Sequence, residues 1–326
     1  MKRFMSSQDS IQINRLSIAV STVSFSSNAD LMGELARDKH FDIHANPHGR
    51  RLDPVEFQSL LRGCEGAIVG LDQVNADLLE NCPDLRVVSK YGVGLDNIDF
   101  EACRKHGVEV YSTQGINKTS VAEQTLGFML MLCRNLSRSG WNLKHGKWIK
   151  EGGIQLSGKS VGIIGVGNIG KELIRLLKPF QCRILVNDIL DQNSYYQSTG
   201  VEEVGKQQLF EEADLVTLHV PLTSDTANLV NKEVFETMKS SAFLINTARG
   251  GIVEESDLKW ALENAQIGGA ALDVFEIEPP EDRELIEHEN FLCTPHIGGN
   301  AKEAVAAMGF AAIENLRNFF SSKGSL

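Results

Sequence analysis

VGIIGVGNIGKELIRLLK, residues 161–178, runs from a block of apolar residues through three glycines into a stretch with helical periodicity. VGIIG (161–165) reads as a buried strand and NIGKELIRLLK as the helix after it, with Gly165, Gly167 and Gly170 between them. In that setting two glycines let the backbone turn and approach a pyrophosphate, the third lets helix and strand pack closely, and the helix start offers unpaired N–H groups. Asp188 ends the next apolar run, RILVND, 21 residues past Gly167. A carboxylate there accepts hydrogen bonds from adenosine ribose hydroxyls and repels a 2′-phosphate, and the following Ile189 and Leu190 bring no compensating arginine. The combination predicts a dinucleotide site that takes NAD(H) over NADP(H).

Working outward, short apolar runs alternate with amphipathic stretches along the whole chain, the pattern of parallel sheet with helical crossovers. After SGKS (157–160) the strand candidates are VGIIG, RILVND, ADLVTLHV (213–220), SAFLINT (241–247), GGAALD (268–273) and FLCTP (291–295). Six strands with crossovers fit a doubly wound Rossmann sheet. Before it, LSIAV (16–20), AIVG (67–70), LRVVS (85–89) and VEVYS (108–112) mark a smaller α/β unit. Its helix signals include Asp53-Pro54-Val55-Glu56, an N-cap, a proline at the first helical position and a capping-box glutamate, and Asn75 ahead of ADLLEN. SVAEQTLGFMLMLCRNLSRS (120–139) reads as one helix, apolar over most of its circumference and so buried between domains or subunits. A last helix, roughly Ala301 to Phe320, is too short to be a domain and is expected to return to the first unit. The fold expected is α/β with two domains: a Rossmann domain over 113–299, inserted in a discontinuous flavodoxin-like substrate-binding domain made of 1–112 and 300–326.

Composition sets outer limits. At 326 residues, 42% hydrophobic and 23% charged, the chain suits about two soluble globular domains. A net charge of −11 repels phosphate backbones and anionic lipid, which argues against nucleic acid or membrane as main partner. The six cysteines lie scattered, mostly in apolar runs and without a C-x-x-C pair, so they read as buried hydrophobes of a reducing compartment. MKRFMSSQDSIQINR has positive charge but no apolar run behind it, so no signal peptide is expected and the cytoplasm is the default.

A dinucleotide site calls for a group that moves a proton in step with hydride transfer, and for something that holds an anionic substrate. Ligands of such sheets bind beyond the carboxyl ends of the strands. Three residues sit just past such ends: Arg249 after SAFLINTA, Glu278 in LDVFEIEPP, and His296 in LCTPHIGGN. A guanidinium binds carboxylates through two parallel N–H bonds. A carboxylate beside a histidine favours imidazolium and tunes it to donate near neutral pH.

With these residues in place the chain resembles the D-isomer-specific 2-hydroxyacid dehydrogenases. The likeness runs from about residue 60 to 320 and is carried by SKYGVGLDNID (89–99), SVAE (120–123), VGIIGVGNIG (161–170), HVPLT (219–223), INTARGGIV (245–253), ALDVFEIEP (271–279) and TPHIGG (294–299). The resemblance implies that Arg249 holds the substrate's carboxylate and carbonyl oxygen, that His296 donates or accepts the proton, and that Glu278 pairs with it. It implies NAD contacts along Gly165, Gly167, Asn168, Ile169, Gly170 and Asp188, and at His219, Pro221, Thr247, Ala248, Asp273, Gly298 and Gly299, with Asp273 at the nicotinamide carboxamide. It further implies that backbone N–H groups of Val93 and Gly94 bind the substrate carboxylate, and that the 120–139 helix and the following arm form a homodimer interface.

The other candidates weigh less. His40, His44 and His48 recur every four residues, but HFDIHANPHG reads as strand then turn and no metal site is expected. Trp141 and Trp148 are read as core or interface packing. The loop GLDQV (70–74), where relatives acting on 3-phosphoglycerate carry arginines for the phosphate, has an aspartate and no basic residue, although Arg50 and Arg51 could bring charge from another loop. D-3-phosphoglycerate, glyoxylate or hydroxypyruvate, and a more specialised 2-hydroxy acid therefore all stay open. Formate dehydrogenase is disfavoured, since it has glutamine in place of Glu278. The alternative from another class is an NAD(H)-sensing binding protein like the C-terminal-binding-protein corepressors.

Overall fold

A computed structural model describes residues 15–324. They form two compact units, one of residues 15–116 with the chain from Val305 onward, the other Asn117–Ala304. Each is built on its own parallel sheet.

In the first unit β1 (Leu16–Val20), β2 (Phe41–Ala45), β3 (Gly66–Val69), β4 (Val87–Lys90) and β5 (Glu109–Tyr111) lie in the order β2-β1-β3-β4-β5. Both faces of the central strands β1, β3 and β4 are covered, which is why they read as apolar runs. Ala19, Ala67, Val69 and Val88 pack on one side with Phe57, Leu61, Leu78 and Leu79. Ile18, Val20, Ile68 and Val87 pack on the other with Phe25, Leu31, Leu316 and Phe320. The last two come from the helix Lys302–Ser322, whose Ala312 carbonyl accepts the Ser89 hydroxyl at 2.8 Å. The helix Pro54–Leu61 starts as its sequence requires: Asp53 accepts from Val55 N and Glu56 N, and Glu56 accepts from Asp53 N. His44 lies within β2, and His40 and His48 fall on either side of it.

The second unit holds β6 (Ser160–Ile164), β7 (Arg183–Asn187), β8 (Glu202–Glu203), β9 (Leu215–Leu218), β10 (Phe243–Asn246), β11 (Gly269–Leu272) and β12 (Phe291–Cys293), in the order β12-β11-β10-β9-β6-β7-β8. The order reverses between β6 and β9, and this switch point is where a doubly wound sheet opens for a ligand. Seven strands stand among the described residues where six are expected. The addition, β8, has two residues, both exposed glutamates on the sheet edge, and so carries no apolar signal.

The single helix expected over 120–139 is instead two, Lys118–Cys133 and Leu136–Lys144. Had the first continued, the Cys133 carbonyl would accept from residue 137; it accepts the Ile154 amide at 2.6 Å instead. Gly153 makes that approach possible, since a Cβ there would lie 2.1 Å from the same oxygen. Asn135 takes the left-handed turn at the break (φ 53°), a conformation asparagine tolerates. Burial also divides at this point. Val121, Ala122, Phe128 and Met129 are buried, whereas the second helix buries none of its residues. Trp141 and Trp148 are 65% and 76% exposed, which corrects the core half of their reading.

Candidate active site

β6 delivers the chain to the glycine turn with Ile163 and Ile164 buried, and the helix Asn168–Leu177 leaves it with Gly170, Leu173, Ile174 and Leu177 against the sheet. The register pairs Ile164 with Leu218, so Gly165 comes against the next residue of β9's strand end, His219. Gly165 is left-handed (φ 92°), and a Cβ on it would sit 2.5 Å from the His219 carbonyl. A Cβ on Gly170 would sit 2.3 Å from the Gly165 carbonyl, whereas one on Gly167 would meet nothing within 4 Å among the described residues. Two glycines are thus demanded by packing and the third by open space beside a helix start that no side chain caps. An anionic phosphate bridge suits that space, because the unpaired N–H groups and helix dipole both face it.

Asp188 follows β7 with its carboxylate turned to the same turn, accepting Val166 N at 2.6 Å and Leu190 N at 2.9 Å. Ile189 is 97% exposed and lends no cation. His219 shares Nε2 with the Thr217 hydroxyl (3.1 Å), while Nδ1 is buried without a partner, an orphan that a bound group could satisfy. Burial pushes the His219 pKa down to about 3, so this imidazole is neutral and no candidate for carrying a proton. Pro221, just beyond, is exposed. A dinucleotide fits what these residues offer.

Three strand ends assemble the rest. Beyond β10, the Asn246 amide folds the chain back, accepting Ala248 N at 3.0 Å and donating to the Arg249 carbonyl at 2.8 Å. Arg249 Nη1 donates to the Ala248 carbonyl at 2.7 Å, and Thr247 and Ala248 are buried beneath. Gly250 runs under the loop after β11, where a Cβ would lie 1.9 Å from the Phe275 carbonyl. That loop curls so that Phe275 N donates to Glu278 Oε1 at 3.2 Å. Beyond β12, His296 Nδ1 meets the same carboxylate, 2.9 Å from Oε2 and 3.1 Å from Oε1. Arg249, Glu278 and His296 therefore leave neighbouring strands of one sheet, at its carboxyl edge.

His296 is itself left-handed (φ 53°), a region uncommon for residues other than glycine. Its amide is held by the Asp273 carbonyl at 2.8 Å. The Asp273 carboxylate, 1% exposed, accepts Ile297 N at 2.9 Å, Gly298 N at 2.7 Å, Gln124 Nε2 at 2.8 Å and the Thr294 hydroxyl. Gly299 lies against Asn117, 2.9 Å from where its Cβ would stand. The sequence marks Asp273 but gives no hint that it builds the histidine turn. Asn246, Gln124 and Thr294 escape sequence reading altogether, since amides and hydroxyls inside apolar runs carry no spacing signature. Val93 and Gly94 lie in the first unit, just past β4, with the Val93 carbonyl 3.3 Å from Gln114 Nε2. In the same unit Arg51 Nη2 donates to the Leu71 carbonyl at 2.8 Å, bringing a cation to the GLDQV loop, while Arg50 is bound by Glu56 at 2.6 and 2.7 Å.

Residues 126–298 match the family model of the D-isomer specific 2-hydroxyacid dehydrogenase NAD binding domain. The chain belongs to that family. A D-3-phosphoglycerate dehydrogenase from Rattus norvegicus is 37% identical over 263 residues, 80% of this chain and 49% of the relative. A hydroxypyruvate reductase from Thermotoga maritima is 38% identical over 249 residues, 75% of this chain and 80% of the relative. The chain thus spans about half the length of the D-3-phosphoglycerate dehydrogenases it matches. Among solved structures, a Thermus thermophilus protein superposes with a TM-score of 0.86 at 29% identity, covering 94% of this chain and 97% of that one. The apo D-lactate dehydrogenase of Escherichia coli superposes with 0.82 at 27% identity, covering 94% and 98%. For this 2-hydroxyacid dehydrogenase family member the α/β architecture and the NAD cofactor follow, and among the described residues no helix is long and apolar enough to cross a membrane.

Proposed function

We propose that the chain interconverts a D-2-hydroxy acid and its 2-keto acid. The observation that carries the reading is the His296–Glu278 pair, 2.9 Å apart, on the carboxyl edge of the sheet whose switch point holds the glycine cradle. With Nδ1 committed to Glu278, Nε2 is the nitrogen offered to a substrate. In oxidation it takes the C2 hydroxyl proton, and in reduction it returns a proton to the carbonyl oxygen. Glu278, fixed by the Phe275 amide, sets the ring's orientation and balances the imidazolium charge. Arg249 supplies the planar fork for the substrate carboxylate, and Val93 and Gly94 are proposed as backbone donors to it. Bound NAD supplies the acceptor for hydride from C2, and in reduced form the donor.

Glyoxylate, hydroxypyruvate and 3-phosphohydroxypyruvate are the keto acids this reading favours. We also propose a homodimer, supported by the exposed Trp141, Leu143 and Trp148 on the arm after the long helix. The test is NADH oxidation across those three keto acids. One should turn over rapidly, and His296→Ala should lower that rate by about 10² to 10⁴. Uniformly trace rates with tight NADH binding would overturn the enzymatic reading in favour of an NAD(H)-sensing role.

A further inference from the structure

The helix Lys118–Cys133 reads in sequence as a packing element, yet one of its faces is polar. Ser120 and Gln124, one turn apart, share that face, Thr125 projects about 100° round the helix from Gln124, and each of the three ends on a different part of the site. The Ser120 hydroxyl donates to the Gly298 carbonyl at 2.5 Å and accepts Ala301 N at 3.2 Å, bracketing the end of the histidine turn. Gln124 Nε2 lies 2.8 Å from both Asp273 Oδ1 and the Thr294 hydroxyl. Thr125 Oγ1 lies 2.8 Å from Thr247 Oγ1, two residues before Arg249.

The chemistry of the Gln124 contact allows one arrangement. A carboxylate only accepts, so the amide nitrogen must face Asp273, and its two N–H groups are both used. The Thr294 hydroxyl accepts one of them and donates its own hydrogen bond to Asp273, so every donor in the triangle has an acceptor. The turn these groups hold is one His296 does not favour by itself, because a left-handed backbone is costly for any residue that carries a Cβ.

We propose that Gln124 and Ser120 are positioning residues for proton transfer, holding Asp273 and Gly298 so that the left-handed turn presents His296 in a single orientation. The proposal rests on His296 as the proton carrier, but its test does not depend on turnover. Gln124→Met keeps the side-chain volume and removes both donors, and Ser120→Ala removes the bracket. In the full chain, the His296 ring resonance, assigned by its loss in His296→Asn, should broaden or split in both variants while the other histidines stay unmoved. The turnover number should fall about tenfold to a hundredfold, as small misplacements of a reacting group do, with the NADH dissociation constant within about threefold of wild type. Ser120→Thr, which keeps a hydroxyl, should restore both readouts. An unchanged His296 resonance in folded Gln124→Met overturns the proposal, as does weakened NADH binding with that resonance unmoved. If Gln124→Met does not fold, Ser120→Ala is decided by the same signal. If wild type reduces no keto acid, the functional reading fails while the resonance still decides the positioning role.

Discussion

Gly167→Ala separates what the glycine turn does for the fold from what it does for the cofactor. Gly167 has φ −78° and ψ −154°, a backbone that alanine adopts readily, and its new Cβ would meet nothing within 4 Å. The folded state should therefore lose nothing. The unfolded chain becomes stiffer, so stability should hold or rise by up to about 1 kcal/mol. The methyl would instead stand where the pyrophosphate must approach the N–H groups of Asn168 and Ile169. A hydrogen bond to a charged group contributes about 1.5–3 kcal/mol, so losing one raises the dissociation constant by about tenfold to a hundredfold. Gly170→Ala is the contrast, since its Cβ would stand 2.3 Å from the Gly165 carbonyl and should cost about 1–3 kcal/mol of stability as well as cofactor binding. Thermal melts paired with NADH titration by fluorescence or calorimetry read both quantities. A folded Gly167→Ala that binds NADH as tightly as wild type would show that the phosphates lie elsewhere.

Other expectations follow from the same geometry. Arg249→Lys should lower kcat/KM by at least about tenfold in steady-state assays, because a point charge cannot make two parallel bonds to a carboxylate. Asp188→Ala should narrow the preference for NADH over NADPH, read as the ratio of kcat/KM values, by removing the charge that opposes a 2′-phosphate. His219 stays neutral in the folded chain down to about pH 3, whereas the unfolded chain takes up that proton near the usual 6.5. The unfolded state then binds more protons throughout that interval, so stability is lost as pH falls from 6.5 toward 3. His219→Gln should flatten the wild-type decline in melting temperature between pH 6.5 and about 5.5, above the range where the carboxylates contribute.

The reach of the sequence depended on how local each cause was. Gly165, Gly167, Gly170 and Asp188 act through spacing along one strand, turn and helix and the strand that follows, so the cradle is legible in the sequence alone. The His296–Glu278 contact joins two strand ends 18 residues apart: the sheet edge places each residue, and only the family resemblance implies that they pair. What stayed hidden has a distant cause. The break at Arg134 is fixed by a returning amide at Ile154, and a lone Asn135 within an apolar pattern is too weak a local signal to announce it. The Gln124–Asp273 contact spans 149 residues, and a glutamine in an apolar helix looks like a lapse in the pattern, not a device. β8 leaves no mark in the sequence for the opposite reason, being too short and too polar.

The left-handed backbone at residue 296 bears on how variants of this chain should be selected. Glycine would sit there with less strain than histidine, so His296→Gly should gain on the order of 1 kcal/mol of stability and melt about 2–4 °C higher while losing the proton carrier. A library ranked by heat resistance alone would then enrich inactive clones at this position, and would do so more efficiently the better the screen. Selection for robustness has to carry an activity gate, because at this one residue the fold and the chemistry ask for different amino acids.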